Sequence, residues 1–168
     1  MSYENIPFGT PEKFNVVVEI QKGGQVKYEY DEEWHEIKVS AIFKNGFSFP
    51  FDYGYVPETR GGDGDHLDVF VLGSQSVRMG AIVECRPIGI IELINRREKD
   101  DKVLAIPLND LGSKNIKTLE DLPFDYKNIF EDFFKELAVQ RNKTMEISGY
   151  KDAQTAIQEL GLAHKNFK

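Results

Sequence analysis

At least five extended runs precede the first helical pattern in this 168-residue chain, an order that confines it to a mainly β architecture with helices added late. Asn15 to Ile20 (NVVVEI) is β-branched and apolar, and after the Gly23-Gly24 turn signal a second extended run starts near Val26, so an opening hairpin is expected. Residues 34–43 alternate loosely. Residues 47–55 set Phe47, Phe49, Phe51, Tyr53 and Tyr55 around Pro50 and Gly54, the pattern of a bent strand lining a wall. Val69 to Leu72, Ala81 to Ile94 and Val103 to Ile106 complete the set, with a bulge or an edge expected at Arg86-Pro87. Ile129, Phe130, Phe133, Phe134 and Leu137 then fall on one side of a helix over 126–139. Asp152 is placed to cap a second helix that runs to about Leu160 and stops at Gly161.

Length and an apolar content of 40% suit a single domain over residues 1–168, with no internal repeat or linker. A net charge of -7 opposes binding to a polyanion, which argues against nucleic acid. Cys85 is the one cysteine, so no internal disulfide can form, and a cytoplasmic location is expected. No stretch is long and apolar enough to serve as a membrane helix, and the start of the chain lacks a basic segment followed by an apolar one.

Chemistry concentrates at Asp63-Gly-Asp65-His-Leu-Asp68, where three carboxylates lie within six residues as a Gly-rich turn enters a strand. Carboxylates this close repel one another unless cations join them, and magnesium, which takes hard oxygen ligands and keeps several waters, suits such a strand end. The spacing is not that of an EF-hand. An isolated cluster of this kind reads equally well as a solvated turn; His35, His66 and His164 show no ligand spacing and receive no role.

The surrounding segments favour chemistry. Glu19, the run Lys27 to Glu29 (KYE), Phe51 to Tyr55 (FDYGY), DGDHLD, Cys85 to Gly89 (CRPIG) and Asp100 to Pro107 (DDKVLAIP) occur in the order and spacing of the soluble, family I inorganic pyrophosphatases. The chain resembles that family over roughly residues 5–150. The resemblance implies a five-stranded barrel of the OB type with flanking helices, a homo-oligomer, and magnesium-dependent hydrolysis of pyrophosphate, a small anionic substrate. By position it assigns metal binding to Asp63, Asp68 and Asp100, the base to Asp65, and contacts to the attacked phosphoryl group to Lys27, Tyr53 and Lys102. Glu29 joins the metal-binding rim and Glu19 an outer shell.

Five positions depart from the family pattern. Its phosphate-binding Arg falls on Ala41, a Tyr on Phe49, a metal-binding Asp on Asn95, and a late-helix Tyr-Lys pair on Leu137 and Ala138. The retained groups serve the nucleophile and the attacked phosphoryl; the Arg and the Tyr-Lys pair belong to the departing phosphate. Three readings stand open at this stage. One is a modified pyrophosphatase with the missing grip replaced by Lys44, Lys135, Arg141 or Lys143. Another is a phosphohydrolase for a bulkier or less charged leaving group, and the third is a silent relative that binds metal or phosphate.

Overall fold

A computed structural model describes residues 2–167. In chain order it contains β1 (Gly9–Thr10), β2 (Lys13–Ile20), β3 (Val26–Asp31), β4 (Glu36–Ile42), β5 (Asp52–Val56), β6 (Leu67–Val71), β7 (Ile82–Asn95), β8 (Glu98–Lys99) and β9 (Lys102–Pro107). Then follow helix α1 (Tyr126–Arg141), β10 (Met145–Asp152) and helix α2 (Ala153–Lys165). The strands β2, β5, β6, β9 and β7 pair in that order and β7 pairs back onto β2, which closes a five-stranded barrel. Only the β6–β9 pair within that ring is parallel. The expected barrel with flanking helices is the architecture observed.

Closure depends on the long strand β7. Its first half, Ile82 to Cys85, pairs with β2, and its second half, Gly89 to Asn95, pairs with β10. The register against β9 shifts between Pro87 and Gly89. Proline has no N–H to give to a ladder, so the break falls where the sequence marked a bulge. At Gly89 an added Cβ would stand 2.8 Å from the Lys151 carbonyl oxygen and 2.7 Å from Leu119, so β7 and β10 approach closely only because the side chain is missing.

Two apolar layers cover the two faces of the wall. Phe14, Val16, Val69, Val71, Val103 and Ala105 face one way, joined by Leu160 and Ala163 of α2. Ile20, Tyr53, Phe70, Leu104 and Ile106 face the other, joined by Phe130, Phe133 and Phe134 of α1. Of the run predicted as a bent strand lining a wall, only Asp52–Val56 is strand, but its aromatics do line the wall: Phe47 stacks on Phe133 at 5.3 Å, and Phe51 meets Phe130 tilted at 5.4 Å. Asp52 at the base of β5 is buried and accepts bonds from Lys22 N, Ser76 Oγ and Val77 N, which ties two loops to one carboxylate.

Three expectations need correction. The opening hairpin does not form: β2 lies in the barrel, whereas β3 pairs with β4 in a separate two-stranded sheet. The β-branched run of β2 is buried on both faces, so its partners are other buried strands and not the half-exposed β3. Helix α2 continues through Gly161 to Lys165, because Leu160 and Ala163 bury against the barrel and this packing exceeds the cost of about 1 kcal/mol for an interior glycine. Its Asp152 cap is present, accepting from Thr155 N at 2.9 Å. Strand β10 was not foreseen, since Gly149 and the charges of MEISGYKD disguise an edge strand that becomes extended only by pairing with β7.

Candidate active site

The turn that carries the carboxylates is tied shut from within. Gly61 N donates to Asp65 O at 2.8 Å, Gly64 N to Gly61 O at 3.1 Å, and Asp65 N to Asp63 Oδ1 at 3.0 Å. Gly64 takes a φ of +85°, a conformation glycine adopts without strain. Below the turn, the buried Thr59 hydroxyl donates to Val56 O and accepts from Leu67 N, which joins the ends of β5 and β6. Asp63 and Asp65 are thereby held at the mouth of the barrel while Asp68 is already inside β6.

Register does the rest. Tyr55 pairs with Asp68 across β5–β6, and Asp68 pairs with Lys102 across β6–β9, so three side chains form a row on one face of the wall. The Lys102 ammonium, nearly fully buried, donates to Asp68 Oδ2 at 2.7 Å and to Asp100 Oδ1 at 3.1 Å. Burial alone would drive Lys102 toward its neutral form, but Asp68, Tyr53 and Asp100 around it raise its pKa well above the usual lysine range, so it stays charged. Tyr53 is buried beside the same carboxylates, and burial followed by the Asp68 charge raises its phenol well above its ordinary value; it remains a hydrogen-bond donor.

A cavity of ≈ 200 Å³ opens above this row. It is lined by Lys27, Glu29, Tyr53, Asp63, Asp65, Asp68, Asp100 and Lys102, the catalytic, substrate and metal positions expected from sequence, with Glu19 left out. Glu19 lies behind them, buried in β2, where it accepts from Tyr30 N at 2.7 Å and borders an adjoining cavity with Glu29, Asp65 and Asp68. Desolvation, then repulsion from Asp68, raises its pKa well above the usual glutamate range. Asp65 is raised as well, by partial burial and then by Asp63 and Asp68. Lys27 pairs with Glu29 at 2.5 Å from within β3.

The carboxylates face one space without forming a finished cage. Among the described residues no three acidic, histidine or cysteine groups stand close enough to enclose a metal ion, and the Lys102 ammonium occupies the position between Asp68 and Asp100. The donor set still fits magnesium, which binds through one or two carboxylates and retains waters. Asn95 supplies a further sign of fit. Its amide donates to Asp100 Oδ2 at 3.1 Å, while its buried Oδ1 has no partner and lies at the same cavity.

The remaining departures separate by position. Ala41 is the ladder partner of Lys27, so the missing Arg leaves the space beside that lysine unfilled by its own strand position. Phe49 is buried against Tyr53 and Phe133. Leu137 lines the cavity, whereas Ala138 borders a neighbouring one between α1 and β10. Of the four cations offered as replacements, Arg141 and Lys143 line the cavity; Lys135 borders the neighbouring one, and Lys44 borders neither. Lys143 has its pKa lowered by burial and then by Arg141, Lys27 and Arg96, so Arg96 joins this cationic side. Sequence reasoning missed Arg96 and also Met145, which lines the cavity from the unforeseen β10.

The family model for inorganic pyrophosphatase matches residues 16–168. The chain belongs to the inorganic pyrophosphatase family. It is 42% identical to an inorganic pyrophosphatase of Saccharolobus solfataricus, over 83% of each chain, and 34% identical to that of Campylobacter jejuni over the full length of both. Among solved structures, an inorganic pyrophosphatase from Coxiella burnetii superposes with a TM-score of 0.88 at 32% identity, covering 95% of this chain and 97% of the other. Membership makes this chain a hydrolase of the pyrophosphatase type. No helix among the described residues is long and apolar enough to cross a membrane.

Proposed function

We propose that this member hydrolyses inorganic pyrophosphate with magnesium, in the cytoplasm, through the cavity above the barrel mouth. One observation carries the reading: residues drawn from β3, β5, the 60–65 turn, β6 and the start of β9 line a single space that holds carboxylates and cations together. Asp63, Asp68 and Asp100 would hold the metal, with Glu29 at its rim and Asn95 Oδ1 as a neutral donor. Magnesium bound there supplies a water of lowered pKa and offsets the negative charge of the substrate. Asp65, placed on a fixed turn with a raised pKa, accepts the proton of the attacking water. Lys27 and the phenol of Tyr53 orient the attacked phosphoryl group, and Lys102 keeps Asp68 and Asp100 in place while facing the same oxygens.

Phosphate release from pyrophosphate with and without magnesium, compared with Asp65→Asn, tests this. Fast release that the variant reduces by about 10²-fold or more supports it. Near-blank rates in both proteins would overturn it. A second reading has its own observation: Phe49, Phe133, Phe134, Leu137 and Met145 give the cavity an apolar wall, which suits a substrate with a less charged or bulkier leaving group. Turnover of a phosphate ester or organic diphosphate above that of pyrophosphate, lost in Asp65→Asn, would favour it.

A further inference from the structure

Helix α1 changes character along the face it turns to the barrel. Phe130, Phe133 and Phe134 are buried and aromatic, Leu137 follows at the cavity, and Arg141 comes one turn later. Leu137 and Arg141 are four residues apart, so they lie above one another on the same face, about 6 Å apart along the axis. Leu137 occupies the position where the family pattern has the first member of its Tyr-Lys pair. We propose that Arg141 grips the departing phosphoryl group in this chain, the grip having moved one helical turn toward the C-terminus of α1. The proposal deepens the reading of the site as a pyrophosphate-hydrolysing one and rests on it.

The end of α1 is fixed enough to hold a ligand group. Asn142 adopts a left-handed conformation with φ of 50°, its N–H donates to Val139 O, and Lys143 N donates to Ala138 O at 3.0 Å. These two bonds form a Schellman cap, which sets the direction of the chain as it leaves the helix. One residue further, Arg96 N donates to Thr144 O at 2.9 Å, which ties the segment to the end of β7. Arg141 and Lys143 therefore belong to an anchored connection.

Charge pairing points the same way. Of the four cations lining the cavity, Lys27 is paired with Glu29 and Lys102 with Asp68 and Asp100. Among the described residues no carboxylate lies within ion-pair distance of Arg141 or Lys143, although both are half-buried and close enough to repel. Two adjacent, partly desolvated cations without a counter-ion favour an anion from solution. The acidic turn and these cations line one cavity, with Asp100 near enough to act on Lys143, so a substrate with two phosphoryl groups can meet both sets of groups there. A guanidinium adds planar, two-point contact with phosphate oxygens, which one ammonium cannot give. An arginine in the last turn also favours its own helix end, and the experiment must separate that role from binding.

Binding of methylenediphosphonate, a diphosphate that cannot be hydrolysed, is measured by calorimetry with magnesium, alongside pyrophosphate kinetics and melting temperature. Arg141→Gln is expected to weaken the diphosphonate about tenfold or more and to lower kcat/KM at least as much, with melting temperature nearly unchanged. Arg141→Lys should recover part of both. Lys135→Gln, one cavity away, should change neither. Introducing Leu137→Tyr into Arg141→Gln should restore part of the binding from the turn above. Diphosphonate affinity and kcat/KM within about twofold of the parent in Arg141→Gln would overturn the proposal, as would a loss that tracks only a fall in melting temperature. If the parent protein fails to hydrolyse pyrophosphate yet binds diphosphonate in an Arg141-dependent way, the grip stands and the assigned reaction falls.

Discussion

Lys102 is the residue on which the unliganded site depends, because its ammonium is the common partner of Asp68 and Asp100 in a largely buried setting. Removing one partner of such a group leaves the others uncompensated. Lys102→Met should therefore destabilise the metal-free protein by about 1–3 kcal/mol, with much of the loss recovered in excess magnesium as a cation takes over the two carboxylates. Thermal melts with EDTA and with magnesium read this directly; equal losses in both would refute it. Glu19 gives a pH-dependent counterpart. Its folded pKa is raised, so the native state keeps a proton that the unfolded chain has released, and stability falls as pH rises from the ordinary glutamate value through the raised one. Glu19→Gln retains an acceptor for Tyr30 N and removes that loss. It should raise the melting temperature by roughly 2–4 °C near neutral pH and leave it unchanged below the ordinary glutamate range. A variant less stable than the parent at neutral pH would count against the buried-charge argument.

At the scale of elements, the cap of α1 and the closure of the barrel carry separate predictions. Asn142 tolerates its left-handed conformation, glycine adopts it freely, and a β-branched residue does not. Asn142→Gly should be neutral or slightly stabilising and Asn142→Val should cost about 1–2 kcal/mol in urea denaturation. If Arg141 depends on this cap, the valine variant should also lose diphosphonate affinity. Gly54 in β5 is the second case. An added Cβ there would stand 2.0 Å from the Val17 carbonyl oxygen, inside the β2–β5 ladder that helps close the ring. Backbone cannot yield as a flexible side chain can, so Gly54→Ala should cost several kcal/mol and leave little folded protein by circular dichroism.

For the whole molecule, Cys85 offers a clean report on unfolding. It is fully buried in β7, in the apolar layer that Leu160 and Ala163 of α2 join, and burial raises its thiol pKa far beyond the reactive range. A thiol reagent should label it only through opening of the barrel, with a denaturant dependence matching global unfolding. Rapid labelling in buffer would mean that β7 frays locally.

Taken by itself, the amino-acid sequence determined the mainly β class, the loop-to-strand carboxylate cluster and the helix α1, because each rests on local pattern: apolar strands, turn residues and a helical period; the barrel followed from the resemblance to a family. Its resemblance to the pyrophosphatase family also named the residues from Lys27 to Lys102 that line one cavity. Only the tertiary structure decided which strands pair, since β2 could join β3 or the barrel and burial on both faces selected the barrel. It alone disclosed β10, extended through its ladder with β7 and weakly marked by its own residues. It also chose among four cations of similar chemistry, because the Schellman cap and the β7–β10 contact bring Arg141 and Lys143 to the cavity and leave Lys44 and Lys135 outside it. Distance between residues far apart in the chain, and the electrostatic pairing that follows from it, exists only once the chain is folded.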